Sequence, residues 1–303
     1  IIKAHIWNTL HLNARSCRVC LGQESGVHEP DGGSFHCRAY SCTNGKRLYD
    51  LQLIERREIH DMTDDDFTQF GKAMNLIKLR KHEHQDRGDI FSRSKHHAHV
   101  DVGLPGYDDF AHMHHHSRGG HNSANFLPFH RWFLIYLEQQ LQVAAANCSL
   151  TIPYWNWAMD TNRLDKSDVW TDRRYGTLSE GCVSTGFAAG WHWTSMKGNT
   201  SCLRRAPTAE INGVLPSWKE VTSELHSHSS FTALHELVEN TWHNPLHCLI
   251  GGQMCSMDSP VDPSFYLHHA FIDRMWFWWQ RKLSHMEADC AGCTNFEVHE
   301  TDF

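Results

Sequence analysis

With 303 residues, 40% of them hydrophobic, the chain is long enough for one sizeable domain or two small ones. Its longest apolar runs, at 132–137 and 275–279, fall far short of the roughly 18 to 20 residues that a membrane-spanning helix needs, and the mean hydropathy is -0.52. A net charge of -7 without any dense Lys/Arg stretch leaves no electrostatic footprint for nucleic acid, so neither a membrane nor a nucleic acid is expected as partner.

Residues 1–50 are rich in Cys, Gly and polar residues and have no sustained period, which predicts an irregular N-terminal segment stapled by disulfides. A helix is expected over 64–80: Thr63 with Asp66 three residues on resembles a capping box with Asp in place of Glu, and Phe67, Phe70, Met74 and Ile77 recur at helical spacing. The polar stretch 81–106, with His96, His97 and His99, reads as loop. Further on, 128–146 and 263–283 are expected to be helices, and the Gly- and Ser-rich stretch 176–202 reads as loop again. No internal repeat and no linker stand out. The simplest organisation is one mainly α domain over 1–303: a Cys-rich segment (1–50), a core (51–285) and a tail (286–303).

Eleven cysteines, including the pairs Cys17/Cys20 and Cys290/Cys293, would suit zinc or disulfides. Two sequons, Asn147-Cys148-Ser149 and Asn199-Thr200-Ser201, favour an oxidising compartment, as does a chain that begins at Ile1 as a processed one would. Disulfides and a secreted or secretory-lumen location are therefore the expectation. The odd count leaves at least one cysteine free, modified or intermolecular.

Histidine is the outlier, with 26 against 28 Lys plus Arg, much of it clustered. A first constellation is His114, His121 and His130. Tyr107, Phe110, Ala111 and His114 fall at i, i+3, i+4 and i+7, which puts His114 on the inward face of a short helix. Nine residues at about 100° each put His121 and His130 on opposite sides of any continuous helix, and Pro128 marks a helix start between them. His121 then comes from the loop and His130 from the first turn. A second constellation is His243 and His247, at i and i+4, with the pair His268/His269 about twenty residues later. Pro245 disfavours helix at Asn244, so the first two straddle a helix start or a kink. Periodicity with Phe265, Ile272 and Trp276 favours His269 as the inward member of its pair, and Asp262-Pro263 reads as an N-cap with Pro at the first helical position. Helices carrying inward histidines in each half describe a central four-helix bundle with a metal centre in its core. An all-imidazole set without an obvious carboxylate argues against a carboxylate-bridged di-iron centre; spacing alone stops at a binuclear site for redox or hydrolytic chemistry.

The stretch His121-Asn-Ser-Ala-Asn-Phe-Leu-Pro-Phe-His130-Arg131 resembles the first copper-binding signature of the tyrosinase family. The second signature resembles His243-Asn-Pro-Leu-His247, Gly251-Gly252-Gln253-Met254 and Asp262-Pro263-Ser-Phe-Tyr-Leu-His268-His269-Ala-Phe-Ile-Asp273-Arg274. With Arg56-Arg57-Glu58-Ile59, the resemblance to this type 3 copper family (tyrosinase, catechol oxidase, molluscan hemocyanin) covers most of 50–285. It implies one copper on His114, His121 and His130 and a second on His243, His247 and His269, with dioxygen bridging them as peroxide. Only six residues separate His114 from His121, so His112 or His115 could take its place. The family's frequent thioether cysteine, two residues before the second histidine, is replaced by Gly119.

What the resemblance implies for function is a monophenol/o-diphenol oxidase, which hydroxylates phenols ortho and oxidises catechols to o-quinones. A catechol oxidase or an oxygen carrier is the alternative. Hemocyanin units carry a further C-terminal domain over the site, and only about twenty residues follow the last bundle helix here, which favours enzyme over carrier; the substrate is a small phenol or a tyrosyl side chain. In monophenol-hydroxylating relatives an acidic residue and an Asn hold a water that takes the phenolic proton. Asn244 matches the Asn, and Glu236 is the candidate acid, with Glu239 next. Met257 falls at the pocket mouth in relatives and Phe265 where an aromatic ring buttresses the site.

Overall fold

A computed structural model describes residues 55–80, 104–117, 119–195 and 197–285, together with the short antiparallel strands β1 (Ser16–Cys17) and β2 (Tyr40–Ser41). The rest of the Cys-rich segment, the His96/His97/His99 stretch and the 286–303 tail lie outside the described residues. The fold is mainly α, as expected, and among the described residues no helix is long and apolar enough to cross a membrane.

Helix α1 (Asp64–Lys78) starts where the sequence places it. Thr63 Oγ1 accepts from the Asp66 N–H at 3.1 Å, but the return contact goes from the Thr63 hydroxyl to Asp66 Oδ2 at 2.9 Å. Asp is one methylene shorter than the Glu of a full capping box, and its carboxylate also takes Arg57 at 2.7 Å. Helix α2 (Tyr107–His115) buries Tyr107, Phe110, Ala111 and His114 on one face, the predicted stripe. Helix α3 (Phe126–Ala145) begins two residues ahead of Pro128. Pro128 is then the third helical residue, whose missing N–H would have no intrahelical partner in any case.

The 176–202 region is mostly loop, braced by two small ladders. Strands β3 (Gly181–Cys182) and β6 (Arg204–Arg205) pair antiparallel, and β4 (His192–Thr194) pairs with β5 (Thr200–Cys202). Disulfide Cys182–Cys202 links the two, and a second disulfide joins Cys248 to Cys255. Helix α4 (Trp218–Ser227) opens with a reciprocal Ser217/Glu220 capping box.

Helix α5 (Phe231–Glu236) runs without a break into a π-helical segment (Leu237–His243) and then into α6 (Asn244–Ile250). Here the structure resolves the Pro245 question. Pro245 has no N–H for an α-helical bond, and the Asn244 N–H reaches back five residues to the Glu239 carbonyl. Asn244 keeps right-handed helical angles (φ -55, ψ -44) although it precedes proline. Helix α7 (Ser264–His285) is capped by Asp262, whose Oδ1 accepts from the Ser264 N–H at 2.9 Å.

Helices α2, α3 and α7 and the α5–π–α6 run surround the site. Phe133 of α3 stacks on Tyr266 of α7 and meets Phe110 of α2 edge-on. One turn along α7 from His269, Asp273 accepts from Arg56 at 2.9 Å and pairs with Arg131, tying α3 to α7, and Arg56 also donates to Glu138 at 3.0 Å. A fully buried pair, Arg205 and Asp262, holds the β6 ladder to the start of α7 at 2.7 and 3.0 Å.

Candidate metal centre

The six histidines assemble into the two sets read from the sequence. His114, His121 and His130 place one ring nitrogen each within 4.8 Å of one another, and so do His243, His247 and His269. His114 comes from the inward stripe of α2, His121 from the 119–125 loop, and His130 from the second turn of α3. The candidacy of His112 and His115 falls away on burial: His114 is 2% exposed, whereas His115 is exposed and pairs with Asp258 at 3.1 Å, and His112 packs beside Trp193. His269 is buried with its ring facing His130, parallel within 14° at a centroid separation of 4.1 Å, so the two triads are face to face.

Four of the six rings are aimed by an oxygen behind them. Nδ1–H of His114 donates to the Met257 carbonyl, that of His130 to the Phe126 carbonyl, and that of His247 to the Met254 carbonyl, each at 2.8 Å. His243 Nδ1–H donates to Asn244 Oδ1 at 3.0 Å. With the proton fixed on Nδ1, each Nε2 keeps its lone pair and points it inward. The Nε2 atoms then approach closely: 2.9 Å for His243 and His247, 3.2 Å from His269 to each of these two, 3.4 Å for His114 and His130.

Lone pairs converging at such distances repel unless they share a cation, and neutral imidazoles are what a transition metal binds. Burial first, and neighbouring histidines second, hold His114, His130, His243 and His269 well below the ordinary imidazole range; burial pushes His247 down to about 4. The donor chemistry therefore fits two copper ions.

His268 is not aimed with its neighbour. It is fully buried, but Trp157 Nε1–H donates to its Nδ1 at 3.1 Å and its ring stacks on His243 at 5.2 Å, outside either cluster. Phe265 lies one turn before His269, buried, with centroids 4.1 Å from His269 and 5.2 Å from His114, so it fills the space beneath both triads. Met257 is 39% exposed at the rim.

The two candidate carboxylates are placed differently. Glu236 is exposed, while Glu239 is buried at 1% exposure. In an ideal α-helix Glu236, seven residues before His243, would lie within about 20° of it. The π segment inserts a wider turn between them, so His235, Glu239, His243 and His247, at steps of four, share the buried face instead and Glu236 is turned outward. Glu239 Oε1 accepts from the Asn122 N–H, the residue after His121, at 2.6 Å, and Oε2 lies 2.6 Å from His235 Nε2. Asn244 is exposed; its Oδ1 accepts from His243 Nδ1–H and its Nδ2 donates to Asn240 Oδ1 at 3.4 Å. His235 went unnoticed in the sequence; the four-residue repeat of His235, Glu239, His243 and His247 was the signal for it.

Comparison with known proteins bears on the same region. A family profile, the common central domain of tyrosinase, matches residues 105–282. The chain is 36% identical over 185 residues to a tyrosinase of Streptomyces antibioticus, covering 54% of this chain and 66% of that one, a little under two thirds of the relative's length. It is 32% identical over 291 residues to the tyrosinase-like protein phomQ2 of Diaporthe leptostromiformis, covering 87% and 68%. Among solved structures, a polyphenol oxidase of Thermothelomyces thermophila superposes with a TM-score of 0.62 at 23% identity over 75% of this chain and 70% of that one. A functional unit of octopus hemocyanin gives 0.54 at 18% identity, covering 78% and 55%. Both likenesses are of fold.

Proposed function

Because this chain belongs to the tyrosinase family, we propose that it is a dicopper oxidase that hydroxylates monophenols ortho to the hydroxyl and oxidises o-diphenols to o-quinones with dioxygen. The observation that carries the reading is the face-to-face contact of two all-histidine triads, His130 against His269 at 4.1 Å, in a family whose members use such a centre.

In this reading His114, His121 and His130 hold one copper and His243, His247 and His269 the other. Copper bound there supplies the redox chemistry with dioxygen. The protein's own residues supply aim and proton transfer. The carbonyls of Met257, Phe126 and Met254 and the amide of Asn244 fix ring orientation and tautomer. Glu239 replaces Glu236 as the acidic residue: its carboxylate sits against the His121 loop with His235 behind it, a buried carboxylate–imidazole acceptor for the phenolic proton. Asn244 acts as a positioning residue for His243. Exposed Met257 and half-buried His121 mark the side from which a phenol or a tyrosyl side chain enters. Location in the secretory pathway is part of the proposal, supported by the disulfides Cys182–Cys202 and Cys248–Cys255 and by the exposed sequon at Asn199.

The test is oxygen uptake by the copper-loaded protein with a simple monophenol and with the matching o-diphenol, using His269→Ala as blank. Uptake with both, lost in the blank, is the expected result. Uptake with the diphenol alone would limit the activity to catechol oxidation, and reversible oxygen binding without turnover of either would make it a carrier.

A further inference from the structure

One loop, between α6 and α7, touches both triads. Its Met254 carbonyl accepts from His247 Nδ1–H and its Met257 carbonyl accepts from His114 Nδ1–H, both at 2.8 Å. One histidine of each set is therefore aimed by the same short piece of backbone. His115, next to His114, grips the following residue through Asp258 at 3.1 Å.

The loop has little structure of its own to hold those carbonyls in place. It contains two short 3-10 turns, Gly252–Cys255 and Ser259–Val261, and Cys255, Ser256 and Met257 are exposed. Gln253 anchors one side, donating to the Cys202 carbonyl at 3.0 Å and accepting from the Arg204 N–H at 2.6 Å. The other side is held by a covalent bond: Cys248 follows His247, Cys255 follows Met254, and a disulfide joins them. The disulfide and the His247–Met254 hydrogen bond each span seven residues and lie one residue apart, so the sulfur bridge is a covalent rung beside the hydrogen-bonded one. Freed of the rung, the turn gains the conformational freedom that the short closed ring removes, and the carbonyls lose their fixed distance to the imidazoles.

We propose that the Cys248–Cys255 disulfide is a positioning element of the metal centre, setting the aim of His247 and His114 together through the carbonyls of Met254 and Met257. The proposal rests on the dicopper reading for its purpose, but its geometry can be read without metal. Both cysteines are exposed, so a small dithiol such as dithiothreitol can reach the bond; the dithiol is oxidised to its cyclic disulfide as Cys248 and Cys255 become thiols.

The experiment uses the full chain, metal-free and 15N-labelled at histidine, as parent and as the Cys248→Ala/Cys255→Ala double variant. Imidazole NMR in the parent is expected to show Nδ1-protonated tautomers at both His247 and His114, and in the variant both signatures should be averaged or lost. Copper release to a chelator from the reloaded variant should be faster by about 10- to 100-fold, the usual effect of losing a ligand's hydrogen-bonding partner. Ile59→Ala, a fully buried core change away from the loop, destabilises the fold and should leave both NMR signatures in place. If the double variant fails to fold, a Cys182→Val/Cys202→Val background titrated with dithiothreitol gives the reading, because in the parent the reagent would also open Cys182–Cys202, whose Cys202 carbonyl anchors Gln253. Retention of both signatures after the disulfide is gone overturns the proposal, as does a change at His247 alone. A parent that binds no copper yet shows the coupled NMR change would sink the dicopper reading and leave the positioning role standing.

Discussion

Glu239 Oε2 lies 2.6 Å from His235 Nε2, one helical turn away on the buried face, while Glu239 Oε1 holds the backbone N–H of Asn122 beside His121. This places a carboxylate next to the first triad's loop and an imidazole behind it. Glu239→Gln should therefore lower monophenol turnover by about 10²- to 10⁴-fold, the usual contribution of a positioned base. The o-diphenol, more readily ionised, should suffer less. Glu236→Gln, at an exposed position, should stay within about twofold of the parent. Steady-state oxygen uptake with both substrates checks the three statements; equal losses at 236 and 239 would remove Glu239 from the role.

Gly251 has φ +68, and a Cβ there would stand 2.0 Å from the Ala206 carbonyl oxygen. Gly251→Ala should cost at least about 1 to 3 kcal/mol from backbone strain alone. The turn carrying Met254 begins here, so lower copper retention should accompany the lower Tm. Thermal melts and metal analysis after dialysis would show it.

Arg205 and Asp262 are both fully buried, and Arg205 also donates to the Tyr175 carbonyl at 2.8 Å. Arg205→Met leaves Asp262 charged without its partner in the interior and should cost about 3–5 kcal/mol. Arg205→Lys should recover only part of this, because an ammonium cannot reproduce the bidentate contact. Urea midpoints of the two variants, compared with the parent, decide it.

His60 and Glu58 give the fold a pH dependence outside the metal centre. The hydrogen bond that His60 donates to Glu58 raises His60 above its ordinary 6.5, against burial; for Glu58, burial acts upward, but the bonds from His60 and the Asn156 N–H prevail and hold it below 4.5. A raised imidazole contributes stability that is fully present below pH 6.5 and is lost as pH rises through its folded value. A lowered carboxyl contributes above pH 4.5 and loses that contribution as pH falls through its folded value. The pair is thus most stabilising between these two limits. His60→Gln should reduce the loss of stability between pH 6 and pH 8.5, measured as the shift in urea midpoint; an unchanged shift would show that His60 is not its source.

Copper removal should lower the melting temperature as well as abolish activity. Free copper at a hundredfold excess over its dissociation constant stabilises the folded state by about 2.7 kcal/mol per site. Melts of the stripped and reloaded protein, with His269→Ala retaining a smaller shift, test this.

Four of the triad histidines were legible in the sequence from local pattern: a helical stripe for His114, a proline near the helix start for His130, and a four-residue step for His243 and His247. The placement of Glu236 and Glu239 was not. Which of the two faces inward depends on helical phase across a π-helical stretch, and its five-residue hydrogen bonds have no clear sequence signature. The carbonyls of Met254 and Met257 were illegible for a different reason, since a backbone oxygen carries no residue signature. Nor does sequence spacing announce the pairing of Arg205 with Asp262, 57 residues apart.

Arg131 follows His130 directly, and Asp273 lies one turn beyond His269, so the ion pair between them joins α3 to α7 just behind the two rings that face each other. Sliding one helix along the other would have to break that pair and the Arg56 contacts that share it. The separation of the two proposed copper positions is in effect gauged from outside, like the jaws of a caliper set by a screw on its frame.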